Sequence, residues 1–168
     1  MSQHDTRGRD RAIPPARTAS AATRGDAGLR PNAFAAVVML LLEYGLGIWV
    51  NLYANIPASD QGKGTFAAFG AAVADGPVGL ALHALLGTLL LVTAVAFAIR
   101  AVLARKAATI AIGVVALLAI ITAWLSGARF TGAGAEGASF AMAMATGVAL
   151  LCYVAVLFIP RLTQGADR

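Results

Sequence analysis

Residues 78–102 read VGLALHALLGTLLLVTAVAFAIRAV, an apolar run with a single histidine, His83, near its start and a single arginine, Arg100, near its end. A helix needs about 20 residues to cross the ~30 Å hydrocarbon core of a membrane. This stretch alone therefore predicts a transmembrane helix. Three more spans are predicted by similar apolar runs, at residues 33–53, 108–126 and 138–159.

The composition agrees with a membrane protein. Of the 168 residues, 59% are hydrophobic and only 12% are charged, which is more apolar surface than a soluble domain of this size could bury. The four spans and their short loops use nearly all of the chain after Pro31. The sequence therefore predicts an all-α fold, an antiparallel four-helix transmembrane bundle that forms one membrane domain at residues 32–160, with the lipid bilayer as its partner.

The N-terminal segment is polar. Residues 1–31 contain six Arg, three Asp and three Pro without apolar periodicity. Such a segment cannot bury enough apolar surface to offset its loss of conformational entropy on folding, so we expect a disordered tail. Residues 161–168 form a second short tail. The single cysteine, Cys152, excludes an intramolecular disulfide.

The distribution of basic residues predicts the topology, because cytoplasmic loops of membrane proteins are enriched in Lys and Arg. Basic residues collect in the N-terminal tail, in the second loop and in the C-terminal tail, whereas the first and third loops have one each, Lys63 and Arg129. Both termini are therefore expected in the cytoplasm. The richness in Ala, Gly and Arg suggests a bacterial source and hence a bacterial cytoplasmic membrane. A net charge of +5 that is gathered on one side of a membrane does not indicate nucleic-acid binding.

The outward first loop contains a segment with helical periodicity. Residues 65–75 place Phe66, Phe69 and Val73 at helical spacing, which predicts a short helix in the outer interface with Thr65 as its N-cap. Trp49, Tyr53 and Trp124 fall at the outer ends of spans. Aromatic rings there are typical of the headgroup region and need no functional interpretation.

Small and polar residues recur at about four-residue steps along each span, which predicts the faces that pack together in lipid. The predicted inward stripes are Met39, Glu43, Gly47 and Asn51 in the first span, Gly79, His83 and Gly87 in the second, Ala116, Ala119, Ala123 and Ser126 in the third, and Ser139, Ala143 and Gly147 in the fourth.

Two ionisable residues lie inside the predicted spans. Glu43 is ~15 Å and His83 is ~8 Å below the outer boundary, by the rise of 1.5 Å per residue. A depth difference of ~7 Å lets the two side chains meet, directly or through one water, if the first two spans are neighbours. Charged groups at this depth are costly and must be partnered or neutral. The pair is therefore either a proton or cation relay or a neutral hydrogen bond between helices.

His83 is also the strongest candidate ligand in the membrane. Met142 and Met144 fall at nearly its depth, so that a His/Met axial pair for a haem is one interpretation. The alternatives are a polar contact for the histidine and adaptable packing for the thioethers. No spacing of Cys, His, Asp or Glu indicates a metal site, and no catalytic motif is apparent.

Two stretches carry a resemblance to known proteins. Residues 43–53, EYGLGIWVNLY, and residues 82–87, LHALLG, together with the long outer loop between them, resemble a family of small bacterial four-helix integral membrane proteins with no assigned function. More faintly, the pattern is similar to one four-helix half of haem A synthase. That similarity implies His83 as a haem ligand. The second histidine of that family is missing from the fourth span, where Phe140, Met142 and Met144 stand instead.

Three functions are compatible with the sequence. The first is a structural or accessory membrane protein that needs no cofactor and is not an enzyme. The second is a redox-linked protein that binds haem b through His83. The third is a small proton-coupled transport module that uses Glu43 and His83. Four spans are few for a transporter, so the third function would need a homo-oligomer or another membrane protein as partner.

Overall fold

A computed structural model describes residues 19–54, 62–133 and 136–158, and it describes their side chains from residue 28 onward except at residues 132–136. Every regular element in these ranges is an α-helix. The helices, in chain order, are α1 (Ala19–Tyr53), α2 (Thr65–Ala74), α3 (Val78–Ala104), α4 (Ala107–Ala133) and α5 (Glu136–Phe158).

The predicted fold class is confirmed, since four of the helices are long and apolar enough to cross a membrane. The spans, Gly28–Tyr53, Val78–Ala104, Ala107–Thr131 and Gly137–Phe158, run several residues beyond some predicted ends. In the bundle α1 packs on α3, α3 on α4, α4 on α5, and α5 back on α1. Large apolar side chains cover the outside of the bundle, where they contact lipid.

The first helix starts before the predicted end of the tail, so the expectation of disorder does not hold for residues 19–31. The 35 residues of α1 span about 52 Å, which exceeds the hydrocarbon thickness. Its early part is held by the bundle: Leu29 is 6% exposed, Arg30 Nη2 donates to the Leu157 carbonyl at 3.0 Å, and Arg100 Nη1 donates to the Gly28 carbonyl at 3.3 Å. Residues 1–18 and 159–168 lie outside the described residues.

Arg30 and Arg100, which make these two hydrogen bonds, lie at one end of the bundle. Leu157 lies in the last described turn of α5, and the Arg30 guanidinium donates a hydrogen bond to its carbonyl. At the same end Arg105 and Lys106 join α3 to α4, and Arg105 adopts a left-handed conformation with φ 55°. We call this the basic end and the opposite one the α2 end.

The short helix α2 exists where the sequence predicts it, but its contacts differ in detail. Its N-cap is Gly64 and no side chain caps it, so the prediction that Thr65 is the cap is wrong. It packs on α3 and α4 through Ala68, Ala71 and Ala72, since small side chains allow close approach of the helices. Phe66 is 78% exposed.

The half of the bundle near the basic end has a filled centre. Phe97 and Tyr153 are its largest fully buried side chains, and their rings meet edge to face with centroids 5.2 Å apart. Gly113 leaves room for Phe97, since a Cβ built there would lie 3.3 Å from that ring. Small residues from all four spans surround the pair: Ala33, Ala36, Ala94, Ala101, Ala116 and Ala149.

The predicted packing stripes are right in α3 and α4 and wrong in α5. Gly79, Ala116 and Ser126 are buried, whereas Ala143 and Gly147 are exposed. The inward face of α5 is Ala145, Ala149, Tyr153 and Val156. Small residues occur on every side of α5, so their spacing alone does not identify the face that packs, and the bulky Tyr153 defines it instead.

Candidate functional site

Glu43 faces the interior of the bundle from the middle of the α1 span. Its side chain is only 12% exposed although its neighbours Leu42 and Tyr44 are exposed. A four-residue step places Gly47 on the same face of the helix one turn further on. The orientation follows from the cost of a carboxyl group in lipid, which is avoided when the group points toward other helices.

His83 meets Glu43 from α3. Its Nδ1 lies 3.0 Å from Glu43 Oε1, and the histidine side chain is 14% exposed. The structure thus brings together the two residues whose depths were matched from the sequence. The distance between the two atoms suits a hydrogen bond, but the geometry of the contact is not that of one. Within the described part of the chain, His83 Nδ1 has no hydrogen-bond partner, and neither does the second carboxyl oxygen, Glu43 Oε2.

Two glycines make room for this pair. A Cβ built on Gly47 would lie 3.1 Å from His83 Cε1, and one built on Gly87 would lie 3.0 Å from Glu43 Oε1. Either distance is tighter than ordinary van der Waals contact. The imidazole therefore packs against α1 at Gly47 while the carboxyl group packs against α3 at Gly87.

The pair lines a cavity of about 80 Å³ in the half of the bundle near the α2 end. This volume exceeds the ~10–15 Å³ that a single water needs. Glu43 and His83 are the only ionisable residues in its described lining, and most of the other lining side chains are apolar. Three aliphatic residues that also belong to the packed core form its floor: Leu40, Leu90 and Ile120.

Trp124 forms part of the cavity wall. Its Nε1 donates to Thr88 Oγ1 at 3.2 Å, and its ring lies against Phe69 of α2 with centroids 5.0 Å apart. Its Cδ1 lies 4.0 Å from the point that a Cβ on Gly87 would occupy, beside the Glu43 carboxyl group. The interpretation of Trp124 as only a headgroup-level aromatic therefore missed its contact with the site.

The remaining polar groups of the lining are threonine hydroxyls. Thr131 Oγ1 donates to the Ala128 carbonyl at 3.0 Å, and Thr146 Oγ1 donates to the Met142 carbonyl at 2.8 Å. Each hydroxyl has one hydrogen, so both keep only acceptor lone pairs for a ligand. Nothing in the sequence distinguishes these two residues, because a threonine that bonds its own helix is common in membrane spans.

The two predicted methionine ligands separate in the structure. Met142 lines the cavity with His83, and its Sδ lies 3.4 Å from the Cβ position of Gly127. Met144 is 55% exposed and lies on the outer surface of the bundle. The cavity of about 80 Å³ is smaller than the ~300–1,000 Å³ of sites for drug-sized ligands, and haem binding through His83 stays a prediction.

No group of three or more His, Cys, Asp or Glu side chains suited to a metal ion occurs among the residues that the structure describes. Comparisons of the chain with protein families, with curated proteins and with solved structures find no match. The resemblances noted from the sequence therefore stay predictions, and the function must be argued from the geometry of the site.

Proposed function

We propose that this protein is a small proton-coupled transport module of a bacterial cytoplasmic membrane, in which Glu43 and His83 hold an exchangeable proton. The observation that carries the proposal is the position of the two groups, 3.0 Å apart on the wall of a cavity inside an apolar bundle. An interhelical link with no further role would not need the open space beside it, since protein interiors are close-packed.

The chemistry is a proton shift within the pair followed by exchange. With one proton between them, the pair is either a neutral carboxylic acid beside a neutral imidazole or a carboxylate beside an imidazolium. Both forms have the same net charge, so the shift between Glu43 and His83 avoids placing an isolated charge in an apolar environment. Uptake of a second proton, or loss of the one that the pair shares, changes the net charge, which couples the pair to the occupancy of the cavity.

In the proposed orientation the α2 end faces outward and the basic end faces the cytoplasm. Arg30, Arg100, Arg105 and Lys106 at the basic end support this orientation. Leu40, Leu90 and Ile120 close the cavity toward the basic end, so the pair exchanges its proton with the outer side in this conformation. Access from the cytoplasm requires that these three side chains separate, which a second copy or another membrane protein as partner would promote.

Proton flux into liposomes tests the function. The purified protein is reconstituted with a pH-sensitive dye inside the liposomes, and acid is added outside. We expect faster acidification of the lumen with wild type than with Glu43→Gln. Asp75→Asn is the matched control, because it removes an exposed carboxyl group outside the cavity. Equal rates for wild type and Glu43→Gln would leave the pair as a structural link, as in the accessory role.

Reporter fusions test the orientation. A reporter that is active only outside the cytoplasm should be silent after Arg168 and active when inserted near Gly62. The reverse pattern would contradict the orientation without affecting the geometry of the site.

A further inference from the structure

The polar atoms that the cavity offers are mainly acceptors. Glu43 Oε2 and His83 Nδ1 are buried without a hydrogen-bond partner among the described residues, and a neutral imidazole supplies one N–H donor at most. The hydroxyl hydrogens of Thr131 and Thr146 are bonded to backbone carbonyls, and the indole hydrogen of Trp124 is bonded to Thr88. A ligand that satisfies such a lining must donate hydrogen bonds, since leaving a buried acceptor without a donor is costly.

The charge and shape of the lining narrow the class of donor. A carboxylate at Glu43 favours a cation, and the aromatic ring of Trp124 lines the same cavity. Leu80, Ile120 and Met142 supply apolar walls that would contact hydrocarbon. An inorganic cation such as Ca²⁺ or Mg²⁺ needs about six or more oxygen ligands, which these walls do not offer.

We infer that the cavity binds a short primary alkylammonium ion, with its ammonium group donating to Glu43 Oε2 and its alkyl chain among the apolar walls. The inference rests on the proposed function and names the class of substrate for the same site. The volume of about 80 Å³ is roughly half of the ~150 Å³ that accepts benzene, so the ion is small, of the size of propylammonium.

Binding of this ion competes with protons. A primary alkylammonium keeps its charge up to a pH of about 10, as a lysine side chain does. Glu43 and His83 are the only ionisable groups that line the cavity in the described part of the chain, from any of the helices packed there. A proton added to either group weakens the attraction for a cation. Entry of the amine therefore expels a proton, and uptake of a proton expels the amine.

Saturation-transfer NMR with propylammonium chloride and the purified full-length protein in detergent micelles tests the inference. We expect saturable binding to wild type and to Asp75→Asn, and at least about tenfold weaker binding to Glu43→Gln, because a hydrogen bond to a charged group is lost. Propanol, with nearly the same shape and no charge, should bind at least about tenfold more weakly than propylammonium. Lowering the pH should weaken amine binding to wild type, a comparison that needs no variant.

Three results would overturn the inference. They are equal binding of propanol and propylammonium, unchanged binding to a folded Glu43→Gln protein, or absence of amine binding to folded wild type. Proton flux measured on the same preparations separates the two proposals. Proton flux without amine binding would refute the inferred substrate and leave the proposed proton transport standing. Amine binding without any flux that depends on Glu43 would refute the transport function and leave the binding site standing.

Discussion

The two halves of the bundle are built from the same four helices but have opposite centres. Near the basic end Phe97 and Tyr153 fill the space between small residues, and both rings are fully buried. Near the α2 end small residues face one another around a cavity of about 80 Å³, which Glu43 and His83 line. A stripe of small residues therefore does not decide between tight packing and an open site. The residue that faces the stripe decides it.

The boundary between the halves is sharp. Leu40, Leu90 and Ile120 are 2%, 3% and 4% exposed and belong both to the packed core and to the cavity floor. One half thus has a close-packed centre, while the other keeps open space beside the polar pair, which in the proposed function holds an exchangeable proton. Substitutions should have different effects in the two halves, and the following four predictions test that difference.

The largest effect is expected for Phe97→Ala in the packed half. Deletion of a buried Phe side chain from a core costs about 3–5 kcal/mol, and we expect about 3 kcal/mol because the unfolded reference in lipid is also apolar. Phe140→Ala is the control, since Phe140 is 69% exposed, and it should change the free energy of unfolding by less than about 0.5 kcal/mol. Steric trapping in bicelles measures both. Similar losses for the two variants would refute a packed centre at Phe97.

A smaller effect is expected at the polar pair. Glu43→Gln and His83→Ala should each lower the free energy of unfolding by about 1–3 kcal/mol, because each leaves its partner buried without a counterpart. The double mutant should lose less than the sum of the two single losses. Thermal melting of the detergent-solubilised proteins measures the coupling free energy between Glu43 and His83. Strict additivity would mean that the 3.0 Å contact has no energetic consequence.

Filling the cavity should raise the free energy of unfolding, whereas the two preceding changes lower it. Gly127→Ala places a methyl group on the cavity wall at ordinary contact distance from Met142, and replacing a glycine in a helix stabilises it by about 0.5–1 kcal/mol. Gly147→Ala should stabilise the protein equally, since nothing lies within 4 Å of a Cβ there. Only Gly127→Ala should lower proton flux into liposomes. Equal flux in both variants would separate the cavity from the function.

The smallest effect is expected at the basic end. Arg100→Ala removes a hydrogen bond of 3.3 Å from an exposed side chain to the Gly28 carbonyl and should cost about 0.5 kcal/mol. Hydrogen exchange should rise in the first turns of α1 and stay unchanged in α3. Unchanged exchange along the whole of α1 would show that the packing of Leu29 and the Arg30–Leu157 hydrogen bond hold this segment without Arg100.

The sequence was sufficient for the spans, for α2 and for the matched depths of Glu43 and His83, because apolar run length and helix rise are local properties. The meeting of the two side chains also required α1 and α3 to be neighbours, which the structure shows. It failed where the outcome depends on contacts between distant residues. Residues 28–30 of α1 bond to Arg100 and Leu157, which lie far along the chain. The inward face of α5 depends on Tyr153 meeting Phe97.

The cavity itself was also beyond sequence reasoning. Its volume is the space that side chains from several helices leave unfilled, so the sequence of one helix does not predict it. Trp124 was visible as an aromatic near a helix end, but its hydrogen bond to Thr88 and its position beside Gly87 require the neighbouring helix. Similarly, Met142 and Met144 have nearly the same depth, and only the rotation of α5 separates one from the other.

The most direct test of the central claim is the protonation of His83 measured beside Glu43 in a bilayer. Solid-state ¹⁵N NMR of a protein with His4→Gln reports His83 alone, because the chain has only two histidines. At one fixed pH we predict that Glu43→Gln changes the ¹⁵N signals of His83, because the carboxyl group 3.0 Å from Nδ1 helps to decide which ring nitrogen carries hydrogen, and that this hydrogen exchanges with deuterated water. His83 signals that are identical in wild type and Glu43→Gln, or a ring hydrogen that does not exchange, would contradict an exchangeable proton shared by the pair.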